Sequence, residues 1–298
     1  MWKAACIAAV AALSAACSKN SSDARAATGN VPAAQPTAAP TAAEDNTPPP
    51  GIDLSMLDEF ERKVFFRVLN KEPSACGKAH SLMQSVKTDP GCRKSFYAAR
   101  YVAKLVDSGY TDSEVSERLQ KRFRGGPRRT INVADAPMKG NDAARVTLIE
   151  FADYECPHCK RVQPVLRQVL DEFKNDVRVY FKHYPLPSHP NARLAAEAAV
   201  AAQKQGKFWP YNDGVWQHSE GLTPAVLEQI AKDTGLDVEK WRKDLDSDDV
   251  RFKVQKDRTD GEQLSIQATP TIYLNGREYT DPKDIDSLKD WINEELGK

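Results

Sequence analysis

The stretch 145–184 constrains this chain more than any other. Arg145-Val146-Thr147-Leu148-Ile149-Glu150-Phe151 is a β-branched and apolar run broken by one acid, the pattern of a buried strand, and Asp153-Tyr154-Glu155 after it reads as a turn. Val162, Val165, Leu166, Val169 and Phe173 then fall at helical spacing, and Val177, Val179 and Phe181 alternate as a second strand would. Strand, helix and strand in this order make a βαβ unit, which requires parallel pairing and a right-handed crossover. The helix opens on Cys156-Pro157-His158-Cys159.

Two cysteines one turn apart at a helix start have a physical use. The first thiol meets unpaired N–H donors and the positive end of the helix dipole, which stabilise its thiolate. Cys156 is therefore the expected exposed nucleophile, and Cys159, one turn further in, the thiol that resolves a mixed disulfide. Stabilising the thiolate stabilises the reduced form and makes the disulfide a stronger oxidant. A span of about 150 mV corresponds to about 7 kcal/mol for two electrons, so a few local donors can decide direction. His158 is read as a hydrogen-bond donor at this site; the competing reading is a metal ligand beside the two thiols.

From about Arg145 to Leu296 the chain resembles the DsbA-like branch of the thioredoxin superfamily. Cys-Pro-His-Cys is the tetrad typical of DsbA oxidases. Glu150 stands six residues before Cys156, where that family places a buried acid beneath the resolving cysteine, and Pro164 stands where thioredoxins kink this helix. Ala268-Thr269-Pro270-Thr271, followed by Ile272-Tyr273-Leu274-Asn275-Gly276, matches the cis-proline loop and its following strand. The resemblance implies an α/β thioredoxin fold with a helical insertion at about 188–262. It implies a site of Cys156, Cys159, Pro157, His158, Glu150, Thr269 and Pro270 that needs no cofactor or metal beyond the cysteine pair. The partners it implies are unfolded or partly folded exported proteins and a redox partner that resets the site.

The same residues can be read on their own. A Glu150 carboxyl on a buried strand should titrate high and could take the Cys159 proton through water. Pro270 cannot lie in a central strand; a cis bond there would present the Thr269 backbone beside Cys156 for strand-like pairing with a peptide, and an ordinary trans turn is the alternative. Oxidase is favoured over isomerase or reductase by Cys-Pro-His-Cys. Against it stand Thr269, a choice seen in isomerase and reductase relatives, and the negative charge of Glu155 next to Cys156.

The rest of the chain divides in three. Residues 1–17 carry Lys3, an apolar run and small residues before Cys17, the pattern of a secretory signal, which resembles a lipobox that would lipidate Cys17; Cys6 lies inside the signal. Residues 18–50 are almost all Ser, Ala, Thr, Pro and Asn, a tether from a membrane surface. Residues 51–126 read as a small helical domain ahead of the thioredoxin-like domain 127–298. Its helices are drawn through Leu57, Phe60, Val64 and Val68 from Ile52 to Asn70, through Phe96, Ala99, Ala103 and Val106, and from the capping box Thr111-Asp112-Ser113-Glu114. In an exported protein Cys76 and Cys92 are most simply a structural disulfide; a second redox or metal site with His80 is the alternative, lacking another nearby thiolate. The basic run Lys121–Arg129 reads as a solvated helix end and linker.

Within the insertion, Val200, Phe208, Trp209, Trp216 and Leu222 are either lid core or an apolar groove, and Asp281-Pro282 is placed as the cap of a last helix through Ile285, Leu288, Ile292 and Leu296. Forty-two basic against 42 acidic residues give no net pull toward nucleic acid. No apolar run after the N-terminus is long enough to span a bilayer. The sequence thus points to a lipid-anchored periplasmic or cell-envelope thiol:disulfide oxidoreductase. The alternatives are a copper- or zinc-carrying thioredoxin-fold chaperone and, from a weak likeness of the helices to CcmH-type proteins, a dedicated cytochrome c maturation factor.

Overall fold

A computed structural model of the chain describes residues 44–125 and 128–298. The expected secretory segment 1–17 with Cys17, and the part of the expected linker up to residue 43, lie outside those residues. Four helices come first: α1 (Glu59–Lys71), α2 (Leu82–Thr88), α3 (Arg93–Asp107) and α4 (Asp112–Arg124). Asp58 with Glu61 and Thr111 with Glu114 form capping boxes, whose oxygens satisfy backbone donors that a helix start leaves unpaired. The first helix therefore begins at Glu59 and not at Ile52; Ile52, Leu54 and Leu57 are buried ahead of it in non-helical chain.

The buried stripe of α1 is Val64, Phe65, Val68 and Leu69, whereas Phe60, expected in it, is 71% exposed. Periodicity sets the angle of a side chain about the helix axis, but which turns have neighbours to pack against is a tertiary matter. Helix α2, too short to show a period, lies inside the loop closed by Cys76 and Cys92, which form a disulfide with Cα atoms 6.1 Å apart. His80 does not join Cys76 in a second site: its Nε2 lies 2.6 Å from Asp89 Oδ2.

The second layer is one five-stranded sheet: β1 (Met138–Gly140), β2 (Val146–Ala152), β3 (Val177–His183), β4 (Thr271–Leu274) and β5 (Arg277–Glu278), in the order β1-β3-β2-β4-β5. Helix α5 (Pro157–Glu172) connects β2 to β3, which pair in parallel from Val146 opposite Val177 to Ala152 opposite His183; the other pairings are antiparallel. Central β2 is apolar on both faces. Val146 and Leu148 pack with residues of α5 and of the last helix, while Ile149 and Phe151 belong to a separate cluster. Asn275 and Gly276 turn β4 into β5 with φ of 47° and 79°, the Asn-Gly geometry of a tight hairpin, and a Cβ on Gly276 would collide with the Arg129 carbonyl.

Between β3 and β4 lie α6 (Ala192–Gln203), α7 (Phe208–Gln217), α8 (Pro224–Asp233), α9 (Val238–Leu245) and α10 (Asp248–Gln263), the expected insertion. Val200, Phe208, Trp216 and Leu222 are buried as core, and half-buried Trp209 donates its indole N–H to the Met138 carbonyl at 2.8 Å. The chain closes with α11 (Ile285–Leu296), capped by Asp284, whose side chain accepts from the Ser287 N–H at 2.8 Å.

Asp281, expected to be that cap, is instead buried and holds Arg122 Nη1 at 3.0 Å. Arg122, expected on a solvated helix end, is 3% exposed, ringed by Tyr101, Phe123 and Trp291, and paired also with Glu294 at 3.2 Å. A guanidinium is buried only with such partners, and these come from a distant part of the chain that local patterns do not reveal. With Arg100 to Asp290 at 3.0 Å and the Tyr97 hydroxyl donating to the Lys298 carbonyl at 2.7 Å, it ties α3 and α4 to α11. Residues 44–298 accordingly form one compact unit.

Candidate active site

Strand β2 delivers the chain into a braced turn. The Cys156 N–H donates to the Asp153 carbonyl at 3.1 Å. The buried Asp153 carboxylate accepts from the N–H groups of Glu155 and Leu186, both at 2.7 Å, and lies 2.8 Å from His189 Nδ1. Burial pushes the Asp153 carboxyl above its ordinary value against these bonds. Cys156 occupies the N-cap of α5 and Pro157 its first helical position, where the missing N–H costs nothing. Cys159 is fully buried one turn in, and Pro164 lies inside the helix as expected.

The electrostatics of the two thiols diverge. Cys156 Sγ donates to the Thr269 carbonyl at 3.3 Å. Its thiol falls from an ordinary 9.0 to about 4, chiefly through a hydrogen bond from the Cys159 thiol, with help from the Thr269 side chain and the N–H groups of Cys159 and His158, against the opposing effect of burial. Burial, the shared hydrogen bond with Cys156 and the charge of Glu150 push Cys159 far upward. Glu150, 1% exposed, is pushed up to about 8 by burial, partly offset by Gln163 Nε2, which donates to Oε1 at 2.9 Å. The same amide donates to the Cys159 carbonyl at 3.3 Å and so ties the acid to the cysteine turn.

The structure brings Cys156, Cys159, Glu150, Thr269 and Pro270 together, and the Thr269–Pro270 bond is cis. Three expectations need correction. Cys156 retains only 5% of its surface, because the Thr269 backbone lies against it. The exposed His158 ring accepts from Arg161 Nη2 at 2.6 Å on Nδ1, so it is the His158 backbone N–H that serves the thiolate. The Glu155 carboxylate turns onto the N–H and Nδ2 of Asn191 at the start of α6, at 2.7 and 3.3 Å, and is not among the leading influences on the Cys156 thiol.

Sequence reasoning missed Gln163 and the bracing role of Asp153. A polar residue inside the stripe Val162, Leu166 and Val169 was the available signal for Gln163. The Cys76–Cys92 disulfide lies in the helical layer. Among the described residues no group of three or more His, Cys, Asp or Glu side chains is placed to hold a metal ion.

The family model described as Thioredoxin matches residues 133–294. The chain is 36% identical over 152 residues to the Na(+)/H(+) antiporter NhaA 3 of Salinispora tropica, a match covering 51% of this chain and 23% of that protein. It thus spans about a quarter of the length of that curated relative. BdbD from Bacillus subtilis, solved oxidised, superposes with a TM-score of 0.53 at 29% identity, covering 57% of this chain and 98% of that one. Wolbachia pipientis alpha-DsbA1 superposes with a TM-score of 0.51 at 18% identity, covering 56% and 94%, a likeness of fold. The chain belongs to the thioredoxin family and has the DsbA-like form of its fold.

Proposed function

We propose that this chain is an extracytoplasmic thiol:disulfide oxidoreductase acting as an oxidase of exported proteins. The observation that carries the reading is the placement of Cys156 at the N-cap of α5 with Cys159 buried one turn in, which lowers the first thiol to about 4 and drives the second upward. In the oxidised enzyme a client thiolate attacks Cys156 Sγ, the Cys156–Cys159 bond breaks, and Cys159 departs as a thiolate. Glu150, protonated at neutral pH with its midpoint at about 8, supplies the proton through water. The second client thiolate then attacks the mixed disulfide and expels Cys156 as its stabilised thiolate. Two electrons pass from client to enzyme, and a disulfide-bearing redox partner takes them on. The cysteine pair is the whole redox equipment, so no cofactor enters.

Thr269 and Pro270 offer a backbone edge beside Cys156 on which an extended client peptide can pair. An oxidising compartment is supported by the Cys76–Cys92 disulfide. Anchoring through a lipid on Cys17, with residues 18–50 as tether, completes the proposal; among the described residues no helix is long and apolar enough to cross a membrane. The metal-carrying alternative gains no third ligand from the site. Equilibration with glutathione tests the direction. A potential near the roughly −120 mV of strong oxidants is expected, and one near the roughly −270 mV of thioredoxin rejects the oxidase reading. Cys159→Ala should trap exported proteins as mixed disulfides on Cys156; an empty trap counts against client exchange.

A further inference from the structure

Glu150 is buried, yet a cavity of about 20 Å³ lies against it, enclosed by the sheet, α5 and α7. Its polar lining is Lys139, Glu150, Gln163, Arg167, Asn212 and Asp213, and the rest is aliphatic or aromatic. That volume holds one water, provided polar partners are at hand. Gln163 Nε2 donates to Glu150 Oε1 at 2.9 Å, and no described residue donates to Oε2. Buried Asn212 accepts from the Tyr154 hydroxyl at 2.9 Å on Oδ1, and its Nδ2 donor has no acceptor among the described residues. Neither Glu150 Oε2 nor Asn212 Nδ2 belongs to the unpartnered polar atoms that packing seals off completely. One acceptor and one donor, both reachable, thus belong to side chains that share a water-sized cavity.

The cavity has an outlet. Between α5 and α7 lies a cleft of about 490 Å³ whose lining includes Lys160, Pro164, Trp216 and Gln217. Gln163, Arg167 and Asp213 line both spaces, and Arg167 Nη1 and Asp213 Oδ1, both half-exposed, stand 3.8 Å apart between them. Cys156, Thr269 and Pro270 line neither. We infer that Glu150 exchanges its proton with solvent through a water that Asn212 holds in this cavity, by a passage under α7 that avoids the face offered to a client. The inference rests on the proposed thiol exchange and names the route its proton takes. When Cys159 departs as a thiolate it takes the Glu150 proton, and a proton from solvent then passes over the water to Oε2 and restores the acid. Without that return a carboxylate stays buried with no cation bonded to it among the described residues, which is costly. The charged groups facing it are Lys139 from β1, Arg167 from α5 and Asp213 from α7. Asn212 is a positioning residue, since its side chain bonds to Tyr154 and to neither thiol.

Two variants at one position test this. Asn212→Leu fills the cavity with an apolar group, whereas Asn212→Ala enlarges it beside the polar groups that remain. Both cost Tyr154 its acceptor, so only the passage separates them. The carboxyl C=O band of Glu150, assigned by its loss in Glu150→Gln, is followed by infrared titration of the oxidised full chain. In Asn212→Leu the band should move to the higher frequency of an acid that bonds no water. The midpoint should rise from about 8 by about one pH unit or more, a roughly tenfold loss in ionisation. The pH at which Cys159 begins to attack a glutathione mixed disulfide on Cys156 should rise with it, and Asn212→Ala should leave both near the parent. A band and midpoint that Asn212→Leu leaves unmoved overturn the inference, and so does an equal shift in the two variants, which assigns the effect to Tyr154. The infrared titration needs no client, so failure of the passage is distinguishable from failure of the exchange reading, which shows in the glutathione equilibrium.

Discussion

Reducing the active-site pair should change the pH dependence of the chain's stability by an amount the thiol geometry sets. The Cys156 thiol titrates at about 4 in the folded chain against 9.0 ordinarily. A depressed value contributes stability that is fully present above the unfolded midpoint and is lost as pH falls through the folded one, here from 9.0 down through about 4. Inside that window each pH unit is worth about 1.4 kcal/mol. At pH 7 the reduced form therefore gains roughly 4 kcal/mol, about 90 mV for two electrons. Solvent reaching the sulfur screens part of this, so roughly 4 kcal/mol is the upper end.

The assay is urea denaturation of the oxidised and reduced chain at pH 5, 6 and 7. Other carboxyls titrate in both forms and cancel in the difference, and the constraint that the disulfide places on the unfolded chain does not vary with pH. The stability of the reduced form relative to the oxidised form should rise by about 1.4 kcal/mol per pH unit. Thiolate absorbance of the reduced chain should show its midpoint near 4. A difference that stays flat from pH 5 to 7 refutes the assignment of Cys156 as the stabilised thiolate.

Cys159→Ala removes the main donor to Cys156, so the Cys156 midpoint should rise in the same absorbance titration; an unmoved midpoint would assign the stabilisation to the helix start alone. Glu150 has the opposite sign: raised from 4.5 to about 8, it contributes stability below 4.5 that is lost as pH rises through about 8. Glu150→Gln should match the parent near pH 4 and exceed its stability by on the order of 4 kcal/mol at pH 8, read by denaturation at both values. Arg122→Ala leaves Asp281 and Glu294 buried without their cation and should cost about 3–5 kcal/mol in the same measurement, a loss below about 1 kcal/mol being incompatible with the ion pairs described. Replacing Cys76 and Cys92 by serine should cost about 3 kcal/mol and lower hydrogen-exchange protection first in α1–α3.

Much of the architecture was legible in residue order. The βαβ unit, the two thiols at a helix start, the Thr111 cap, the helical insertion and the proline loop all rest on patterns only a few residues long, and local backbone geometry responds to such patterns directly. Glu150 was legible too, because an acid inside an apolar strand run has to be buried or misplaced. Gln163 went unread although it interrupts an apolar stripe, since nothing along the chain says that its amide meets Glu150.

The rest was decided by what lies beside each residue in space. Glu155 is adjacent to Cys156 in sequence, yet its carboxylate is taken up by Asn191 at the start of α6. Phe60 keeps its place in the helical period and loses its partners, while Arg122, in a basic run, is drawn inside by acids from the far end of the chain. Order along the chain determined which elements form and which atoms can do redox chemistry. Titration, burial and ion pairing depend on distance and on exclusion of water, and the packed fold alone set those for Cys156, Glu150 and Arg122.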